Sequence, residues 1–445
     1  MKRRTFLQSA AAAASKPAPP NILFLMPDQW RGMDLGSAGN AQVRTPNLDR
    51  LASQGVQFTG AAANCPVCTP ARGILLTGKY AHTIGVPVND VPLPDSETTI
   101  AEILRERGYH TGFVGKWHLE GGKRLPGFVP PGERRQGFAY WAANICHHAY
   151  FENHYFRDGP APIRMPGYET FTWTDLAIGF LENAKKRAKP FCLYVWYGPP
   201  HDPYLEPPGY EKMYDPARIQ LRKNWRPGAA RFGTAKDIAG YWSAIACLDA
   251  EIGRLVKRLD DLGLGENTIT LFASDHGDML GSQGTFLKRK PWEESVRVPA
   301  IFRWPAVLKA RRRTPEALSH VDIVPTLLGL CGTRPASGMH GFDWSGYLAG
   351  RPSKIPQFAH LQIYTSLENN EHPPWRGLRS KRWKYARSAA KPWLLYNLEQ
   401  DPYEMNNLAG EADQRKRIEA FDRVIERQMK ATGDDWKERF DRPYR

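Results

Sequence analysis

The chain has 445 residues, 24% of them charged and 42% hydrophobic, with a formal charge of +15. That length exceeds what one core serves, so two domains are expected. No apolar run approaches the ~20 residues of a membrane span, and no repeat of fixed period occurs. Six cysteines, at 65, 68, 146, 192, 247 and 331, are too sparse and uneven for a disulfide framework. Neither a zinc-finger spacing nor an RNA-binding signature accompanies the positive charge, which argues against a nucleic-acid partner.

Lys2-Arg3-Arg4-Thr5-Phe6-Leu7-Gln8 and the Ala-rich run to Ala14 resemble a twin-arginine export signal, followed by a linker at Pro17 to Pro20. A disordered basic N-terminus is the alternative. The signal reading expects a periplasmic or secreted protein that meets the twin-arginine translocase. Loss of residues 1–20 removes Lys2, Arg3, Arg4 and Lys16 and no acid, leaving +11. Such a surface favours polyanions, sulfated glycans as readily as nucleic acids.

Asn21-Ile22-Leu23-Phe24-Leu25-Met26 is a continuous apolar run, as expected of a parallel strand buried on both faces, and it ends in Pro27-Asp28-Gln29. Cys65-Pro66-Val67-Cys68 follows, continuing into Thr69-Pro70-Ala71-Arg72-Gly73. Taken alone, this C-x-x-C admits a redox pair, a disulfide or two buried thiols. A helical pattern over Thr98 to Arg107 precedes Tyr109 to Val114, a second apolar run that ends in Gly115-Lys116-Trp117-His118.

A helical pattern over Asp175 to Lys186 leads to Phe191 to Tyr197, then to Gly198-Pro199-Pro200-His201-Asp202-Pro203; Ala235 to Leu262 leads to Thr268 to Ala273, then to Ser274-Asp275-His276-Gly277. Strands alternating with helices argue a parallel sheet, whose ligands bind at the carboxyl ends of the strands. Singly, Asp28 or Asp275 can be a helix cap, Lys116 a surface charge and His201 a satisfied loop histidine. Four strands that all end in chemically capable residues are hard to assign to chance. Cys192 and Cys247 sit in apolar runs as core residues, and His147, His148 and His154 show no metal-ligand spacing.

Arg311-Arg312-Arg313 reads as a solvated loop. A Gly-, Pro- and Ser-rich shift from Gly338 to Pro356 marks a boundary, giving a catalytic domain at 21–345 and a small domain at 346–445. In the latter, Trp383 to Tyr385 and Trp393 to Tyr396 read as short strands, and Ile418, Phe421, Val424, Ile425 and Met429 as the apolar stripe of a closing helix. His372-Pro373-Pro374-Trp375-Arg376 suits either a sugar-stacking platform or a Pro-rich connection with a buried Trp.

Cys68-Thr69-Pro70-Ala71-Arg72 resembles the signature of the type I sulfatases, in the alkaline phosphatase superfamily, whose Cys is oxidised after translation to formylglycine. Asn21 to Gln29, Gly108 to His118, Ser274 to Gly277, Leu287-Lys288 with Glu293 to Pro299, Arg379 to Tyr385 and Leu395 to Glu404 are similar to further segments of that family, in the same order. The resemblance implies an α/β fold with a large, mostly parallel sheet sandwiched by helices, and a small C-terminal α+β domain of antiparallel strands with a closing helix. It implies that Asp28, Gln29, Asp275, His276 and the modified Cys68 hold a divalent cation. Oxygen-rich ligands favour Ca²⁺ and also admit Mg²⁺ or Mn²⁺.

Family members commonly carry a second Asp where this chain has Gln29, a departure that leaves its ligand role open. By the same resemblance, the hydrated aldehyde at Cys68 is the nucleophile, Arg72 balances the carboxylates, and Lys116, Lys288 and Asn89 bind sulfate oxygens. His201 then protonates the leaving alcohol, and His118 deprotonates the second diol hydroxyl. A maturing enzyme, either formylglycine-generating or of the radical type, is the implied partner. The substrate expected is a sulfated small molecule or glycan. Rival readings are a phosphonate monoester or phosphodiester hydrolase on the same fold, a non-catalytic binder of sulfated glycans, and a thiol oxidoreductase.

Overall fold

The structure is a computed structural model that describes residues 18–436 except 123, 126, 188, 228–232 and 367–371. The twin-arginine segment lies outside the described residues. Strands β1 (Asn21–Met26), β2 (Val56–Phe58), β3 (His110–Lys116) and β4 (Tyr140–Asn144) precede a small ribbon of β5 (His154–Tyr155) and β6 (Ile163–Arg164). They are followed by β7 (Phe191–Trp196), β8 (Thr268–Ala273), β9 (Ala300–Arg303) and β10 (Arg312–Thr314). Without the ribbon these strands form one eight-stranded sheet in the order β10-β2-β9-β8-β1-β7-β3-β4. β9 is antiparallel to both neighbours, and every other adjacent pair is parallel.

The four apolar runs are the contiguous quartet β8-β1-β7-β3 at the middle of this sheet. Both of its faces are covered, which is why the runs are unbroken: Ile22, Phe24 and Met26 enter one core while Leu23 and Leu25 enter the other. The helices are α1 (Pro46–Ser53), α2 (Cys68–Thr77), α3 (Ile100–Glu106), α4 (Glu169–Arg187), α5 (Ala235–Asp261), α6 (Glu293–Val296), α7 (His320–Leu330) and α8 (Ser345–Leu348). Leu75 of α2, Leu104 of α3, Val324 of α7 and Leu348 of α8 fill the first core; Leu48 of α1, Phe180 of α4 and Ile245 of α5 fill the second. Each such side chain contributes about 1.5–3 kcal/mol by leaving water.

Capping boxes at Thr99 and Glu102 and at Thr234 and Asp237 start α3 and α5 by satisfying first-turn amides. Gly115, at φ +115°, has no room for a side chain: a Cβ there would lie 1.9 Å from the Trp196 carbonyl oxygen. Its absence lets β3 run against β7 up to Gly115, and Lys116, paired with Asn144 of β4, is the last residue of the strand and not part of a following loop.

The C-terminal sheet comprises β11 (Ala359–Ile363), β12 (Trp375–Arg379), β13 (Trp383–Arg387) and β14 (Pro392–Asn397), antiparallel in chain order, and α9 (Arg415–Thr432) follows it. One face, with Leu378, Tyr385 and Leu395, packs on Ile418, Phe421, Ile425 and Met429 of α9. The opposite face, with Trp375, Ala386 and Leu394, packs on Cys65, Tyr80 and Val296 of the large domain. Glu293 ties the two together, accepting from Lys384 Nζ at 2.7 Å and Arg379 NH2 at 3.1 Å.

The first core runs past 345, since Leu348 belongs to it and Ile355 packs on it, whereas Phe358 already packs on α9. Arg312 and Arg313 lie in the edge strand β10, not in a loop. Of the two readings of Trp375 and Arg376, the buried Trp is the one the fold adopts: both residues are buried in β12, with Trp375 Nε1 donating to Arg289 O at 3.0 Å and Arg376 paired with Asp434 at 2.5 and 2.8 Å.

Candidate active site

The carboxyl ends of the central quartet converge on the first turn of α2, where Cys68 sits. Asn89 Oδ1 accepts from Thr69 N at 3.0 Å and Thr69 Oγ1 donates to His118 O at 3.1 Å, so this helix start is tied to the loops that carry the other site residues. The Asn89 amide nitrogen forms no hydrogen bond among the described residues. Ligand atoms of Asp28, Cys68, Asp275 and His276 all lie within 4.8 Å of one another, and all four residues are buried. Cys68 Sγ is 3.2 Å from His276 Nε2 and 3.8 Å from Asp28 Oδ1.

Buried carboxylates need compensation. Arg72 NH2 meets Asp28 Oδ2 at 2.9 Å and Asp275 Oδ2 at 3.3 Å, while its NH1 donates to Lys116 O at 2.7 Å. Lys116 Nζ meets Asp28 Oδ2 at 2.7 Å. Burial pushes Asp28 up, but Lys116, His201 and Arg72 outweigh it and hold the carboxyl well below its usual range. Asp275 goes the other way, raised by burial and by Asp28.

The two cysteines of the C-x-x-C diverge: burial pushes Cys65 up to about 12, whereas at Cys68 the nearby Lys288, His276 and Lys116 overcome burial and bring the thiol well below its ordinary value. Both are free thiols.

The donors fit a divalent cation. His276 Nδ1 lies 2.9 Å from Gly277 O, which makes Nδ1 the protonated nitrogen and leaves the Nε2 lone pair facing Asp28 and Cys68. Gln29 Nε2 donates to Asp278 Oδ2 at 2.6 Å, which turns Oε1 toward Lys288 Nζ, 2.7 Å away. The amide therefore presents an oxygen to the site.

Two histidines are set for proton transfer. His118 Nε2 bonds Asp90 Oδ1 at 2.9 Å, and Arg124 in turn holds Asp90; His118 Nδ1 is buried without a hydrogen-bond partner. Burial lowers the His118 pKa, but Cys146, Asp90 and Cys68 raise it to about 10. His201 Nδ1 is 3.0 Å from Asp202 Oδ1, its ring stacks on His148 at 4.2 Å, and its Nε2 lies 2.5 Å from Lys288 Nζ. Burial and Lys288 lower its pKa, while Asp28 and Asp202 prevail and raise it to about 9. A 2.5 Å contact needs one of the two nitrogens as acceptor.

The large domain matches the family model for sulfatases over residues 20–333, and residues 281–431 match that for the N-sulphoglucosamine sulphohydrolase C-terminus. The chain belongs to the sulfatase family. It is 37% identical to an ulvan-active sulfatase of Formosa agariphila, over 95% of this chain and 84% of that protein. Against an N-acetylglucosamine-6-O-sulfatase of Bacteroides thetaiotaomicron the identity is 26%, over 94% and 87%. The crystal structure of a putative sulfatase from Bacteroides fragilis superposes with TM-score 0.87 at 30% identity, covering 96% of this chain and 99% of that one.

This sulfatase is a sulfuric ester hydrolase, and its family implies formylglycine and a divalent metal. The structure brings together Asp28, Gln29, Cys68, Arg72, Lys116, His201, Asp275, His276 and Lys288 as one linked set, with His118 joined to the start of α2. Asn89 is at the rim, its oxygen used as a helix cap. Sequence reasoning missed Asp90 and Asp278, gave Asp202 no role, and set His148 aside for want of metal-ligand spacing, whereas in the fold His148 clusters with His201 and Asp202. Each of the three acids follows a named residue closely, and that adjacency was the available signal.

Proposed function

We propose that this sulfatase hydrolyses sulfate monoesters on a sugar or polysaccharide fragment, with Cys68 matured to formylglycine beside Ca²⁺ held by Asp28, Gln29, Asp275 and His276. The observation that carries the reading is the position of Cys68, within ligand reach of Asp28, Asp275 and His276 and under the electrostatic influence of Lys288 and Lys116. Formylglycine supplies a geminal diol as nucleophile, and the cation supplies Lewis acidity toward a sulfate oxygen.

The remaining work falls to this chain's own side chains. Lys116 and Lys288 grip sulfate oxygens as point charges. Once Lys288 turns from His201 to the anion, Asp28 and Asp202 retain a proton on the imidazole, and His201 Nε2 delivers it to the departing alcohol oxygen. His118 Nδ1 takes the hydroxyl proton at position 68, its ring fixed by Asp90.

The relatives active on ulvan and on N-acetylglucosamine-6-O-sulfate, and the +11 charge left after signal removal, support a sugar substrate. The arginine pair at the N-terminus supports twin-arginine export to the periplasm or beyond, after a maturing enzyme has acted on Cys68.

The deciding experiment is a mass spectrum of the tryptic peptide Leu51 to Arg72 from the native host, together with a substrate panel. An aldehyde at 68 beside a thiol at 65, with aryl sulfate turned over faster than aryl phosphonate, is the expected result. An unmodified Cys68 moves the protein to the class of glycan binders, and a preference for phosphonate reassigns the ester.

A further inference from the structure

A cavity of about 640 Å³ lies beside the reaction centre, between the segments that leave β1 and β8, the 220–225 segment and the edge of the C-terminal sheet. Topology accounts for its position. Asp28 and Gln29 leave β1 into the reaction centre, and Arg31, two residues on, lines the cavity; Asp275 and His276 leave β8 into the centre, and Leu280 and Ser282 line the cavity. No ligand or proton-transfer residue named above lines it. Its volume is in the range of sugar-sized ligand pockets and exceeds what one inorganic anion fills.

Its wall is cationic. Arg31, Arg222, Lys223, Arg297, Arg379 and Lys381 line it against the carboxylates of Asp34 and Glu293. Arg31 is paired with Asp34, Arg222 with Glu294 at 2.8 Å and Arg379 with Glu293 at 3.1 Å. Arg297 Nε reaches only Glu293, at 3.5 Å, a carboxylate already engaged by Arg379 and Lys384, and is otherwise buried without a hydrogen bond. Lys223 and Lys381 are exposed and show no carboxylate partner among the described residues; Lys223 Nζ sits 5.6 Å from the Tyr403 ring centroid.

Two further wall residues are buried with polar atoms that lack a partner among the described residues, the Ser282 hydroxyl and the Trp242 indole N–H. Groups of that kind ordinarily find a partner. Trp225, Trp242 and Tyr403 add aromatic surface to the wall. Unspent positive charge and aromatic rings in one sugar-sized cavity are the features that hold an acidic sugar.

We propose that this cavity is a second carbohydrate site, binding an anionic sugar residue, sulfated or uronic, remote from the ester being cleaved. The inference rests on the polysaccharide reading above. A polymer engaged at both places gains from effective concentration, so long chains bind more tightly than the reaction centre alone permits.

The test titrates a heparin-derived hexasaccharide into the full chain by calorimetry at 150 mM NaCl. It compares wild type with Lys223→Glu/Lys381→Glu and uses polyglutamate of matched charge as a control. Neither lysine makes an ion pair among the described residues, and equal melting temperatures verify that the variant folds. The expected result is at least a tenfold loss of hexasaccharide affinity in the variant, with kcat/KM for a small aryl sulfate within twofold of wild type. Equal affinities, no binding by wild type, or equal binding of polyglutamate each overturn the proposal. Loss of affinity in a protein with no arylsulfatase activity supports the cavity while overturning the reaction assigned to Cys68.

Discussion

Replacing Asp278 by Asn should impair the cation site without touching a ligand. The Asp278 carboxylate accepts from Gln29 Nε2 at 2.6 Å, Tyr204 OH at 2.5 Å and Leu280 N at 3.1 Å. Asn keeps one acceptor, which Leu280 N can retain, and places an NH₂ against Gln29. The Gln29 amide then gains by flipping, which turns its NH₂ toward Lys288 Nζ, now 2.7 Å from Oε1, and removes the oxygen from the site. A hydrogen bond to a charged group is worth about 1.5–3 kcal/mol, so cation affinity should fall roughly 10- to 100-fold. The assay is competition with a fluorescent chelator at pH 7.5, independent of turnover. Adding Gln29→Asp should recover most of the loss, since a carboxylate offers oxygen in either orientation. A change under threefold in Asp278→Asn, or no recovery in the double variant, would refute the oriented-amide argument.

Asp90→Asn removes the carboxylate that anchors His118 Nε2 and should lower kcat about 100-fold, the lower end of what a positioned base contributes, with KM and cation affinity little changed. Steady-state kinetics on an aryl sulfate decide it, and a kcat within threefold of wild type removes Asp90 from the mechanism. His201→Ala should slow a sugar sulfate by about 100-fold or more but p-nitrophenyl sulfate far less, because the nitrophenolate departs unprotonated; equal losses on both substrates contradict the acid role. Burial, with Glu293 and Glu294, pushes Glu404 up to about 8 despite Lys384, from an unfolded value of 4.5. A raised folded pKa stabilises fully below pH 4.5 and is lost as pH climbs through 8, so wild type should melt progressively lower relative to Glu404→Gln between pH 5 and pH 9. A melting-temperature difference that is the same at both ends discards that reasoning.

The central quartet was legible because strands buried on both faces are written as unbroken apolar runs, and a parallel sheet sends their carboxyl ends to one edge. The short strands β2, β9 and β10, of three or four residues, carry no such run, and β9 breaks the alternation with helices by running antiparallel. Trp375 and Arg376 show where local composition fails: the same pair suits a sugar platform or a core, and the choice is made by Asp434, 58 residues away. Gln29 is the sharpest case. As a residue it is a poor substitute for a second carboxylate beside Asp28, and nothing at position 29 says otherwise. In the fold a carboxylate is present after all, 2.6 Å behind the amide at Asp278, where it acts through Gln29 by fixing which atom faces the site. A pattern of residue types can name the atoms that touch a cation, but the atoms that aim them come from elsewhere in the chain, here 249 residues on.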